Sequence, residues 1–209
     1  MLIRVVDSAL VTRPLKTRLP FKFGVQVLTE VSIAELAVTI QTSGGERFVG
    51  HASDLLIPKW FKKDPSSSPQ DDAAALKSSI EVAAELVEHF GEHVGAHSVF
   101  DIWLTAYREL VESRDAADQL VAGFGVSMVE RAMIDATCLA HQCSFAGALL
   151  SGELGFQSER LLPETKGWNP RSLPAPSDSI NVRHTIGMLD PLEHASIPAE
   201  ELVDDGLPQ

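Results

Sequence analysis

The sequence predicts an α+β fold: a three-stranded antiparallel meander packed on a bundle of three to four helices, followed by a connector and one orphan strand. Three observations predict it. Strand-like, β-branched segments recur before Trp60 and are divided by a Ser43-Gly44-Gly45 turn signal. Capping signals and apolar residues at helical spacing then run from Asp71 to Leu150. The remainder is irregular and proline-bearing, with a single strand pattern at Ser179 to Met188.

Each element has its own local reason. Leu2 to Val11 is rich in β-branched residues and reads as the first strand. Thr12 to Gly24 carries Pro14 and Pro20, which exclude a helix, and reads as a loop bearing Phe21 and Phe23. Val25 to Thr42 is the longest strand signal, with Ser32, Ala34, Leu36, Val38 and Ile40 on its more apolar face. Arg47 to Gly50 begins the returning strand, and Lys62 to Gln70 has linker composition.

The helices follow. Asp71 or Asp72 caps a helix to about His89, with Ala75, Leu76, Ile80, Ala83, Ala84 and Val87 inward. Ser98-x-x-Asp101 opens a second helix and Ser127-x-x-Glu130 a third. The third is rich in alanine, with Val129, Met133, Ala136 and Ala140 at helical spacing, and reads as buried on more than one side. Ser144 to Leu150 is a short fourth helix stopped by Gly152 and Gly155.

Composition narrows the function classes. The formal net charge is -12, which repels phosphate backbones and anionic membranes, so neither nucleic acid nor membrane is an expected partner. A small anion can still enter a locally basic or metal-bearing pocket. Cys138 and Cys143 form no metal-ligand or disulfide framework, and with no leader pattern at the N-terminus a cytoplasmic location is expected. No phosphate-binding glycine loop and no GxSxG elbow is present. His89, His93 and His97 are spaced four apart, which on a helix would align them as metal ligands. Gly91 and Gly95 interrupt that helix, so the segment reads as a surface turn and no metal ligand is assigned.

The order of these motifs resembles a known family. Pro20-Phe21-Lys22-Phe23-Gly24, the long strand with its Ser43-Gly44-Gly45 turn, Val49-Gly50-His51-Ala52 and Leu55 to Trp60 are similar to the N-terminal capping domain of the enolase superfamily. The mandelate racemase/muconate lactonising enzyme branch is the closer likeness. Val129 to Ala136 resembles that family's alanine-rich helix, and Ser144 to Leu150 the short helix after it. Ser179 to Met188 falls where the first strand of the family's barrel begins. The resemblance implies residues 1–155 as a capping domain, 156–178 as a connector and 179–209 as the start of an incomplete (β/α) barrel.

A complete barrel takes roughly 250 residues. The family's catalytic lysines and acidic Mg²⁺ ligands lie on later barrel strands, so no catalytic residue is carried over. Two capping loops are. They imply Phe21, Phe23 and Gly24 in one and His51 and Asp54 in the other as substrate-selecting residues, with His184 on the barrel-like strand as a further candidate. The implied chemistry of the complete enzyme is proton abstraction α to a carboxylate, as in racemases, dehydratases and cycloisomerases. Mg²⁺ is expected there and no cofactor on this chain. The implied partners are a small carboxylate and, by the family's habit, a homo-oligomer.

Three readings stand at this point. The chain is an N-terminal, inactive part of such an enzyme; or a stand-alone α+β binding module that kept the capping fold; or a small metal-dependent enzyme built on the histidines. In a self-sufficient domain the Ser179 to Met188 strand should pair with a sheet, whereas in a fragment it should lie exposed.

Overall fold

The computed structural model describes residues 1–209 apart from 24–25, 176, 184–190 and 204–209, and apart from the side chains of residues 23, 26, 117 and 200. Three strands, β1 (Ile3–Phe23), β2 (Gln26–Thr42) and β3 (Arg47–Leu55), form an antiparallel sheet in that order. The expected meander is present. Its turn closes where Gly45, at φ +88, donates its N–H to Thr42 O at 2.9 Å, a conformation that suits a residue without a Cβ.

The stretch from Thr12 to Phe23 is strand rather than loop. β1 is an edge strand, and an edge tolerates proline because an outward position needs no N–H. Pro14 sits opposite Ser32 in regular register. Pro20 sits in a bulge, where β1 takes five steps from Lys16 to Phe21 while β2 takes two, from Glu30 to Leu28. Inside that bulge the Thr17 hydroxyl lies 3.1 Å from Leu28 O and 3.2 Å from Thr29 O, able to donate to either in place of a ladder bond. A second bulge, between Val5 and Asp7, changes which residues of β1 face inward. Ile3 and Val5 are buried before it, and Leu10 packs on the core after it.

The inward face of β2 is the expected one: Ala34, Leu36, Val38 and Ile40 are buried. Two long helices cover it. Helix α1 (Pro69–His93) contributes Leu76, Ile80, Ala83, Ala84 and Val87, while Ala75 is exposed. Its cap is Ser68 rather than Asp71 or Asp72. Ser68 accepts from Asp71 N–H, Asp71 reciprocates, and Pro69 occupies the first turn, where a missing N–H costs nothing. The helix also continues through Gly91. A Cβ there would lie 2.3 Å from Val5 O, so this glycine lets the helix lie against β1 instead of ending it.

Helix α2 (Val99–Tyr107) is capped by Ser98 as expected and continues into one π turn, Arg108–Glu112. Helix α3 (Ala116–His141) begins well before Ser127, so Ser127 and Glu130 lie mid-helix and form no capping box. Gly123 and Gly125 weaken the helical signal in its first half. Gly125 is required by packing, since a Cβ would meet Ser79 O at 2.0 Å. α3 touches β2, β3, α1, α2 and helix α4 (Phe145–Ser151), which explains its small residues. Ser144 caps α4, and Gly152 ends it at φ +85.

Past α4 the chain makes short 3₁₀ turns at Ser158–Arg160, Pro163–Thr165 and Pro170–Ser172. These are pinned to the helical layer. Phe156 packs edge-on to Phe100 with centroids 5.3 Å apart, Arg160 pairs with Asp101, and Arg171 donates to Leu150 O and Ser151 O. Residues 179–183 carry no regular structure and are exposed; the rest of the expected orphan strand lies outside the described residues.

Candidate functional site

The two sets of expected loop residues are held by different parts of the sheet. The β2–β3 ladder runs from Ile33 to Gln41 and Ser32 O accepts from Leu56 N–H at 2.8 Å, so the residues of β2 before Ser32 have β1 as their one strand partner. The result is a two-stranded arm reaching past the end of β3. Phe21, opposite Leu28 in this arm, is 53% exposed, and Phe23 lies opposite Gln26. The neighbouring Lys22 Nζ is 3.0 Å from Glu201 Oε1. Gly24 and His184 lie outside the described residues.

His51 and Asp54 sit on β3 itself, and the strand's two-residue period sends them to opposite faces. The His51 side chain is exposed; its strand partner is Ala37, nine residues along β2 from the partner of Phe21. At about 3.3 Å per residue that is roughly 30 Å of strand. The structure therefore separates His51 from Phe21, so the described candidates are not gathered into one cluster.

Asp54 is engaged by α3. Its Oδ2 lies 2.9 Å from Arg131 Nη2, and its Oδ1 accepts from Leu55 N–H at 2.9 Å. Arg131 also donates to Ser53 O at 3.3 Å, and Asp135 Oδ2 accepts from His51 N–H at 2.9 Å. Arg131 and Asp135, one turn apart on α3, thus bond to backbone groups of the β3 edge. Between them the helix backbone approaches Gly50 so closely that a Cβ there would lie 2.1 Å from Ala132 O. Next to this contact an open groove of about 700 Å³ runs along α3 and α4, lined by Arg131, Asp135, Cys138, Leu139, Cys143 and Phe145.

The loop after β3 is organised by an ion pair between half-buried Lys59 and buried Asp72. Lys59, at φ +59, places its Nζ 3.1 Å from Asp72 Oδ2 and 2.6 Å from Asp64 O, and its backbone N–H also meets Asp72. Burial pushes the Asp72 carboxyl up, but hydrogen bonds from Ser67 and Lys59 outweigh it and hold the group below the ordinary range. On α3, burial pushes Glu130 up to about 7 against the pull of Arg131.

Sequence reasoning did not single out Arg131, Asp135, Lys59 or the burial of Asp72. For the α3 pair there was a signal: two opposite charges four apart in a helix rich in alanine and other apolar residues. For Lys59 there was none, since its partners come from the linker and the start of α1. Among the described residues one group of three metal-ligating side chains converges, His89, Glu92 and His93, all exposed. Gly91 does not interrupt it, and His97 lies apart, bridged through its backbone to Ile3. Mg²⁺ takes oxygen ligands, so this group, with two imidazoles, does not suit it.

Among the described residues, no helix is long and apolar enough to cross a membrane. No protein-family model and no curated protein matches the chain. Solved structures are similar to it over part of their length. An enolase from an alpha proteobacterium, BAL199, with bound magnesium is 14% identical, with 70% of this chain and 34% of that one covered at a TM-score of 0.47. A mandelate racemase/muconate lactonizing enzyme-like protein from Rubrobacter xylanophilus is 16% identical, with 70% and 33% covered at 0.42. A racemase from Streptomyces coelicolor A3(2) with bound magnesium is 16% identical, with 67% and 32% covered at 0.34. The chain spans about a third of the length of the solved enzymes it is similar to.

Proposed function

We propose that this chain is the capping, substrate-selecting part of an enolase-superfamily enzyme that removes a proton α to a carboxylate, and that it is inactive alone. The observation that carries the reading is the exposure of Ile180 at 87% and Val182 at 94%. Two apolar side chains at strand spacing, in water and joined to no sheet, are what the first strand of a missing barrel would leave. The ordered motifs from Phe21 to Leu150 support the same reading from the sequence side.

In this reading the two-stranded arm and the Lys59-anchored loop are the parts that close over the barrel mouth. The chain's share of the chemistry is to shape the entrance, contact the substrate through Phe21 and its neighbours, and exclude water. Proton transfer and metal binding belong to groups outside it. The substrate is a small carboxylate such as an acid sugar, and the location is the cytoplasm.

The test is proton exchange. The isolated chain, incubated in D₂O with Mg²⁺ and a panel of α-hydroxy and sugar acids, should leave every α-proton signal unchanged by NMR. Exchange above the protein-free rate would overturn the claim that the catalytic groups lie elsewhere. The nucleotide sequence beyond Gln209 supplies the second arm. Barrel strands with paired lysines and spaced acidic residues support the reading, and a stop without them favours a stand-alone binding module.

A further inference from the structure

The segment His89-Phe90-Gly91-Glu92-His93 closes α1, and its three polar side chains point the same way. We propose that His89, Glu92 and His93 form a surface site for a divalent first-row transition cation, with zinc the biological case. The site is separate from the capping role and does not depend on it.

Four observations carry it. The first is convergence: one ligand atom from each residue lies within 4.8 Å of the other two, and the imidazole centroids are 4.0 Å apart. A tetrahedral ion with bonds of about 2.0–2.1 Å needs donors about 3.3 Å apart, which exposed side chains reach by small rotations. The second is the tautomer. His93 Nδ1 lies 2.9 Å from His89 O, and a carbonyl can only accept, so Nδ1 carries the proton. In the neutral ring Nε2 then presents a lone pair, the arrangement usual in histidines that bind metal.

The third observation is support from below. Phe90 packs against the core, and Gly91 lies against the Val5 backbone, so the turn carrying the three ligands is held on its inner side. The fourth is position. The ligands occupy the last five residues of a 25-residue helix, whose C-terminal carbonyls make a cation favourable. Two imidazoles and one carboxylate suit zinc, nickel or copper and not magnesium. Three ligands leave a coordination position open to water or to a donor from another molecule. The His-x-x-Glu-His order also occurs in metallopeptidases. Here all three groups are exposed, so the proposal is binding and not hydrolysis.

The test is calorimetric titration of the full chain with zinc chloride, beside magnesium chloride as a control. One equivalent of zinc should bind and magnesium should not. His89→Ala and His93→Ala should each weaken zinc binding by at least about tenfold, and Glu92→Gln by less. All three positions are exposed, so the variants should keep the circular dichroism of the parent. As a second readout, zinc should shift the imidazole proton signals of His89 and His93 and leave those of His51, His97 and His141 in place. Absence of zinc uptake, or uptake unchanged in the double histidine variant, overturns the proposal. Loss of uptake only after alkylation of Cys138 and Cys143 overturns it as well.

Discussion

Asp135 accepts a hydrogen bond from the backbone N–H of His51 at 2.9 Å, a helix side chain bonding to the outer edge of a sheet. Four residues earlier Arg131 donates to Ser53 O, two residues along the same edge. β3 would otherwise present a row of unpaired groups able to recruit another strand. Asp135→Ala should lower unfolding stability by about 1 kcal/mol, the ordinary net value of one hydrogen bond. It should also raise the concentration-dependent association seen by size-exclusion chromatography. A variant as stable and as monodisperse as the parent would show that the edge needs no such partner.

The closeness of α3 to β3 makes Gly50 the tightest position of that interface. An added Cβ meets the helix backbone at Ala132 O and Ala136 N, which cannot rotate away as a side chain could. Gly50→Ala should cost about 2–4 kcal/mol in urea unfolding, at or above the usual range for overpacking. Gly95→Ala is the contrast. Its Cβ would meet nothing within 4 Å, so any loss there comes from its φ of +97 alone.

Glu130 makes stability depend on pH. Its folded-state value of about 7 stands above the ordinary 4.5, so the folded protein holds this proton more tightly than the unfolded chain. The contribution is complete below pH 4.5, is lost as pH rises toward 7, and is flat beyond. Glu130→Gln should therefore match the parent near pH 4.5 and exceed it by about 1–3 kcal/mol at pH 8. Thermal unfolding at the two pH values decides it; an equal difference at both would remove the carboxyl as the cause.

The sheet, its turn, its inward face and the capping of α2 and α4 were legible because each rests on local chemistry: alternation, a glycine pair, a serine before an apolar run. Pro14 and Pro20 misled for a physical reason. They bar a helix in any context, but whether they also bar a strand depends on which strand lies at an edge, and that is a tertiary fact. Ser127 misled similarly, since a serine followed by a glutamate has the form of a cap, yet Gly125 was there to meet Ser79 and not to break the helix. His51 and Asp54 are three apart, and once they lie on a strand, odd spacing places them on opposite faces. Treating them as loop neighbours concealed this. Lys59 and Asp72 were illegible because an ion pair between a loop and a helix start leaves no periodic trace.

The two-stranded arm has an evolutionary consequence. Gln26 to Val31 have no strand partner but β1, while the buried side chains of β2, Val31 apart, begin at Ala34. Substitutions at the tip therefore exact little in folding, and the core below can drift without reshaping the tip. A fold divided in this way can try new surfaces at one end while its stability is kept at the other.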